Sequence, residues 1–362
     1  MNILYLANHL NIGGITSYIF TLSTGLHKQG HRIFVASSGG EKESIFLQEG
    51  IVLIQVPLRT KSEVSPKIIF SLFKLLPVVK KERIDLIHAN SRTTQALAFW
   101  LSKFSGVPYV STCHGFFRPR LHRKLFGLWG RKVIAISDSV YRHLLDDFGL
   151  KPEKIKVIYN GIDIDKFKIQ NSKSKFELRH KFGLKDGPVV GIIARLSDVK
   201  GHIYLIQAFS KVLKQKADAQ LFIVGEGRMY HNLLAWVNRL NIKESVHFIP
   251  RVSDTQEALL AMDIFVMPSL QEGLGLALME AMAVGLAVIA SDIGGLRNLI
   301  RDHQNGILVA PKDIEKLAQA ILELLNDAAK RKEYGVSARR FILENFSQGK
   351  MVEQTLDVYE NL

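Results

Sequence analysis

Short, continuously apolar runs recur along the chain, and between them lie longer stretches with an apolar stripe on one side only. In the first half the runs at 2–7, 32–37, 52–56, 86–88, 109–112, 133–136 and 155–158 predict strands. The striped stretches at 15–28, 93–104 and 140–148 predict helices, the last capped by Ser137. Strands without polar alternation are buried on both faces, so repeated strand–helix units predict parallel sheet covered by helices on both sides. A polar interval at 166–187 follows, and the alternation restarts. Strands are expected at 189–194, 220–224, 246–249, 264–267, 287–290 and 306–309. Helices are expected at 202–214, 229–240, 254–261, 314–326, 329–345 and 349–361. A chain of 362 residues exceeds one ordinary core. The pattern therefore predicts an α/β fold of two doubly wound domains, 1–165 and 166–346, followed by a terminal helix.

The richest stretch is 268–295, PSLQEGLGLALMEAMAVGLAVIASDIGG. Gly273 and Gly275 stand where a helix starts, and helix N-termini offer unpaired N–H groups to anions. Glu280 falls on a helix otherwise suited to burial, where an unpaired carboxylate is costly, and Glu272 stands eight residues before it. Together they suggest a phosphorylated, hydroxyl-rich ligand. Arg195 lies at the carboxyl end of a strand and Lys200-Gly201 precedes a helix, an arrangement that suits a diphosphate. Gly13-Gly14 follows the first strand in a loop suited to close approach of phosphate or sugar. Gly225-Glu226-Gly227 begins like a dinucleotide fingerprint, but Tyr230 replaces the third glycine; a nucleobase or ribose can still approach such a turn. His114 sits just past a strand, where it can meet a sugar hydroxyl or phosphate. Asp163 and Asp165 form a D-x-D pattern in a turn, and turn or capping roles are favoured over metal binding.

Charge adds a second theme. The net charge is +14, and residues 1–165 hold 22 Lys and Arg against 12 Asp and Glu. An acidic partner is expected there: an anionic membrane surface, a phosphorylated acceptor or, less readily, nucleic acid. Two segments concentrate the excess. Residues 66–83 are apolar with lysines at the end, and residues 116–132 interleave Arg118, Arg120, Arg123 and Lys124 with Phe116, Phe117, Phe126 and Trp129. The second segment fits either a bilayer surface or a helix packed on its own domain. The single Cys113 excludes an intramolecular disulfide and argues for a reducing compartment; it reads as packing. The N-terminal MNILYLANHL reads as a strand and not a signal peptide, and no run is long and apolar enough for a transmembrane helix.

These motifs together resemble the retaining nucleotide-sugar-dependent glycosyltransferases of family 4, which have the GT-B fold. The resemblance rests on Gly13-Gly14, the His114 loop, YNGID, Arg195…Lys200-Gly201, Gly225-Glu226-Gly227, Glu272…Glu280 and Gly294-Gly295, nearly the whole chain. It implies two facing Rossmann-like domains with an interdomain cleft and a final helix, about 347–362, crossing back onto the first domain. It also implies roles. Arg195 and Lys200 bind the donor diphosphate and stabilise the leaving group. Glu280 accepts from the ribose hydroxyls. Glu272 contacts the transferred sugar, with backbone N–H groups of Gly273, Leu274, Gly275 and Leu276 nearby. Gly13 and Gly14 approach the donor, Gly225, Glu226 and Gly227 line its site, and His114 contacts the sugar or assists transfer. Asn298 departs from the glutamate common at that place.

The expected reaction moves a glycosyl group to an acceptor hydroxyl with retention of configuration. The acceptor would be a membrane-associated glycolipid or cell-envelope precursor, as in lipopolysaccharide-core transferases. No cofactor or metal is expected, since two cations neutralise the diphosphate. The expected location is the inner face of the cytoplasmic membrane, peripherally bound, with no nucleic-acid partner. Rival readings are a nucleotide-sugar epimerase of the same architecture and an inactive nucleotide-binding module.

Overall fold

Strands apolar on both sides need cover on both sides, and the chain supplies it twice. The computed structural model describes residues 1–119, 123, 127–167, 174–252 and 254–362. It divides into two units, Met1–Gly161 with Gln348–Leu362, and Ile162–Ser347.

The first unit is a seven-stranded sheet: β1 (Asn2–Leu6), β2 (Arg32–Ser37), β3 (Val52–Gln55), β4 (Leu86–Ala89), β5 (Tyr109–Cys113), β6 (Val133–Ala135) and β7 (Ile155–Val157). The spatial order is β3-β2-β1-β4-β5-β6-β7 and every pairing is parallel; Ile3 stands between Ile33 and Leu86. Its helices are α1 (Gly14–Lys28), α2 (Glu43–Gln48), α3 (Pro66–Lys81), α4 (Arg92–Ser105) and α5 (Asp138–Asp146). Successive strand residues point to opposite faces. Ile3, Tyr5 and Val35 pack with Ile19 and Leu22 of α1, and with Met351, Val352 and Val358 of the C-terminal helix. Leu4, Leu6 and Phe34 pack on the other side with Leu72 and Leu75 of α3 and Leu97 and Leu101 of α4. Each such fully buried side chain contributes roughly 1.5–3 kcal/mol.

The second unit holds α6 (Lys175–Lys181), α7 (His202–Val212), α8 (Tyr230–Arg239), α9 (Thr255–Leu260), α10 (Leu276–Ala283), α11 (Ile314–Asn326) and α12 (Ala328–Asn345). Its strands are β8 (Val189–Ile193), β9 (Gln220–Val224), β10 (Val246–Ile249), β11 (Ile264–Met267), β12 (Ala287–Ser291) and β13 (Ile307–Val309). They form a parallel sheet ordered β10-β9-β8-β11-β12-β13. The last helix, α13 (Gln348–Glu360), belongs to the first unit, where it packs against α1.

In each sheet the strand order reverses at one place: between β1 and β4, and between β8 and β11. Such switch points open a crevice beyond the carboxyl ends of the strands, where doubly wound folds bind ligands. The sequence pattern placed most elements to within two residues. It missed α2, a single turn and a half with only Phe46 buried. Ser65 caps α3, which runs on past Pro77 to Lys81. Among the described residues no helix is long and apolar enough to cross a membrane.

Candidate active site

The second unit's switch point collects three loops. After β8 the chain places Arg195 exposed, with no ion-pair partner among the described residues. The loop is fastened to the end of β9 by Ala194 N–H to Val224 O (3.1 Å) and Leu196 N–H to Glu226 O (3.0 Å). A Cβ on Gly225 would stand 2.1 Å from Ala194 O, and one on Gly227 2.2 Å from Leu196 O. The close approach these glycines permit is therefore met by the protein's own neighbouring loop, where the sequence pattern allowed for a nucleobase or ribose. Glu226 faces Arg251 at 3.5 Å.

Gly201 ends the turn that carries Lys200. Its φ is +71°, and a Cβ would fall 1.8 Å from Pro268 O, so the Lys200 turn lies directly on the loop after β11. Lys200 Nζ donates to Glu272 Oε2, and Ser269 Oγ donates to the same oxygen at 3.3 Å. The two charged side chains are 20% and 14% exposed, so they neutralise one another largely out of water. Three residues later Gly275, at φ +95°, caps α10 without any side-chain hydrogen bond. The first N–H groups of that helix stay available to an anion. A Cβ on Gly295 would fall 1.8 Å from Gly273 O, so that turn lies directly against the loop before α10. Asn298 ends the short turn that begins at Gly294.

Glu280 lies on the second turn of α10, half-buried, and accepts from Thr255 Oγ1 of α9 at 2.9 Å. Burial pushes its pKa up, against the opposing pull of the Thr255 hydroxyl and Lys166. A raised pKa means the fold disfavours the charged form. That cost is absent at low pH, where the carboxyl is protonated folded or unfolded, and it grows as pH rises through the interval between the two pKa values. Glu280→Gln, whose amide oxygen still accepts from Thr255, is therefore expected to raise the melting temperature at pH 7. The gain should fade toward about pH 4; thermal melts at both pH values check this.

In the first unit Gly13 precedes α1 in extended backbone without a side-chain cap, and Gly14 is the helix's first residue. No atom lies within 4 Å of a Cβ built on Gly13. His114 follows β5, at the neighbouring strand to the switch point. Asn90 Nδ2 donates to Leu6 O and His88 O, which leaves Asn90 Oδ1 to accept from His114 Nε2 at 3.2 Å. By that network Nε2 carries the proton and Nδ1 is the acceptor. Burial lowers the His114 pKa to about 3, so the ring is neutral at pH 7. Its Nδ1 can accept but not donate, and the neutral ring brings no positive charge to a phosphate.

Beneath it lies a buried network absent from the sequence reading. Tyr359 Oη of α13 meets Tyr5 Oη at 2.8 Å and His88 Nδ1 at 2.5 Å. His88 Nε2 meets Thr112 Oγ1 at 2.7 Å, and Tyr18 Oη meets the same hydroxyl at 3.1 Å. Tyr18 also packs edge-on against His114, ring centres 4.6 Å apart. Cys113 is buried, with its thiol pKa raised to about 12 by burial, which agrees with a packing role. Asp163 Oδ1 accepts from Asp165 N–H at 3.1 Å, the turn role favoured for that pair.

Among the described residues of the basic aromatic segment, several side chains are engaged inside the first unit. Arg118 is exposed, but Arg123 Nε donates to Glu63 Oε1 at 2.9 Å, and Arg92 takes the other oxygen at 3.2 Å. Trp129 is 4% exposed, packs on Phe148 and lies under the Arg92 guanidinium. Phe116 packs on His143. Arg123 is thus not a free surface cation, contrary to the bilayer expectation: a half-enclosed Glu63 needs its charge matched. Arg120, Lys124 and Phe126 lie outside the described residues. The partners Thr255, Ser269, Asn90 and Glu63 were not anticipated. Ser269 alone had a local signal, three residues before Glu272 in the same loop.

The chain matches the family model for glycosyl transferases group 1 over residues 174–341 and that for Glycosyltransferase Family 4 over residues 12–166. It is 30% identical over 311 residues to the D-inositol 3-phosphate glycosyltransferase of Salinispora arenicola, covering 76% of this chain and 68% of that one. It is 28% identical over 331 residues to the UDP-Gal:alpha-D-GlcNAc-diphosphoundecaprenol alpha-1,3-galactosyltransferase of Escherichia coli, covering 87% and 85%. The solved structure of Anabaena HepE in complex with UDP and glucose superposes with a TM-score of 0.89 at 23% identity, over 100% of both chains. With both halves matched and the two parallel sheets in place, the chain belongs to glycosyltransferase family 4: it is a GT-B enzyme that transfers sugar from a nucleotide sugar.

Proposed function

We propose that the enzyme transfers a hexosyl group, with retention, from a nucleoside-diphosphate sugar to a hydroxyl of a lipid-linked or cell-envelope saccharide. The observation that carries this reading is the Lys200–Glu272 pair beside Arg195 and the uncapped start of α10. Without donor the pair satisfies itself. A diphosphate offers Lys200 a stronger partner, and Glu272 is released toward the sugar. Arg195, Lys200 and the α10 N–H groups then stabilise charge as it develops on the leaving diphosphate. Glu280 takes the ribose hydroxyls. The C1–phosphate bond breaks and the C1–acceptor bond forms on the same face. The leaving phosphate oxygen takes the acceptor's proton, so no covalent nucleophile and no metal is needed.

The acceptor reading draws on the Escherichia coli relative, whose name places its acceptor on diphosphoundecaprenol. The chain's net charge of +14 supports it, and the same reading carries peripheral binding at the inner face of the cytoplasmic membrane. The test incubates the protein with a panel of nucleotide sugars and a lipid extract. Nucleoside diphosphate release should depend on both, and NMR of the product should show the donor's anomeric configuration. Inverted product would overturn retention; donor converted without acceptor would favour an epimerase. If the ribose role holds, Glu280→Gln weakens donor binding roughly 10- to 100-fold, as titration calorimetry would read.

A further inference from the structure

Helices α3 and α4 use their inward faces on the core and on each other, through Ile68, Leu72 and Leu75 of one and Leu97 and Leu101 of the other. Their outward faces are nevertheless apolar. Ile69, Phe70 and Phe73 of α3 are 57%, 61% and 69% exposed, and Trp100 and Phe104 of α4 are 40% and 57% exposed. The two α4 rings stack on each other at 6.0 Å. Single exposed apolar residues are ordinary, but five large ones on two packed helices are not. Lysines frame them. Lys67, Lys74 and Lys81 recur every seven residues along the exposed side of α3, and Lys103 lies over the Trp100 ring at 5.3 Å. Neither helix contains a single Asp or Glu.

We propose that this α3–α4 face docks the enzyme on an anionic lipid bilayer. The inference rests on the reading of the acceptor as membrane-borne. Charge decides between occupants. A second copy of the chain would set lysines against lysines with no carboxylate on either helix to answer them. A bilayer with anionic headgroups answers every lysine at once, while phenylalanine and tryptophan side chains enter the boundary between headgroup and acyl chain. The lysine stems lie along the apolar surface and leave their ammonium groups at headgroup level. Arg123 contributes little, because it is already held by Glu63.

The test is flotation of the full chain with phosphatidylglycerol–phosphatidylcholine vesicles and with pure phosphatidylcholine vesicles. Binding is expected to the first and not the second, and high salt should weaken it. The double variant Phe70→Ser/Phe73→Ser, altered only at exposed positions, should lose at least about tenfold in binding constant. Lys74→Gln/Lys81→Gln should lose roughly 10- to 30-fold. Both should melt as the parent does and bind the nucleotide sugar with the parent's affinity. Binding that is equal on the two vesicles, or unchanged in both variants, overturns the proposal. So does a dimer in solution that Phe70→Ser/Phe73→Ser converts to monomer. Vesicle binding without acceptor-dependent release would count against the lipid-acceptor reading and leave the docking face standing; transfer without vesicle binding would do the reverse.

Discussion

Lys200→Ala lowers kcat by roughly 100- to 1,000-fold while leaving the chain folded. The size follows from where charge appears. Breaking the glycosidic bond leaves a diphosphate whose new charge needs a fixed partner, and a preorganised cation at a switch point supplies it without rearrangement. Lys200 is held in place by a turn that rests on the Pro268 carbonyl, and its bond to Glu272 gives way when the diphosphate binds, before the chemical step. Removing it costs some stability, about 1–3 kcal/mol, because Glu272 keeps only the Ser269 hydroxyl inside a site where it is 14% exposed. Turnover and thermal melting measured together separate the two effects. A kcat within twofold of the parent would remove Lys200 from the leaving group. The same measurement on Arg195→Ala reports on a cation that has no ion-pair partner among the described residues.

Gly201→Ala should be the most damaging change of a single carbon. The residue has φ +71°, which costs an alanine about 1–2 kcal/mol, and its new Cβ would stand 1.8 Å from Pro268 O. That atom is backbone, so either the Lys200 turn or the loop after β11 must move. Gly183→Ala is the matched control: φ is +69° there, and no atom lies within 4 Å of the added Cβ. Gly183→Ala should lose only the conformational part, whereas Gly201→Ala should lose roughly 2–4 kcal/mol, or some 5–15 °C in melting temperature. Because the displaced turn carries Lys200, donor binding should fall as well, and only in Gly201→Ala. Equal melting temperatures for the two variants would refute the close approach.

The two predictions rest on facts of different legibility. That Lys200 and Glu272 are site candidates was readable from residue type and spacing, since an ammonium before a helix and a carboxylate in a glycine loop suit a phosphorylated sugar. That they bond to each other was not. They are 72 positions apart, and only the adjacency of β8 and β11 brings their loops together. Glu280 was marked by its cost on an apolar helix, but the hydroxyl that offsets the cost comes from α9. The basic aromatic segment left a bilayer surface and a packed helix both open. Composition could not choose for Arg123; Glu63, from a loop 60 residues earlier, drew it inward. The apolar outer face of α3 was hidden among equally apolar residues, because composition does not say which side of a helix is covered.

The order and kind of nearly all the elements, α2 excepted, were determined by the sequence alone. Continuous apolar strands and one-sided helices have one stable arrangement, a covered parallel sheet, and local caps such as Ser137 mark where helices begin. Tertiary structure decided who answers each charge. It set Lys200 on Glu272, Arg123 on Glu63 and His114 on Asn90. A strand's burial is a property of its own residues, whereas a charge is settled by whichever partner the crossing of strands brings within hydrogen-bond reach.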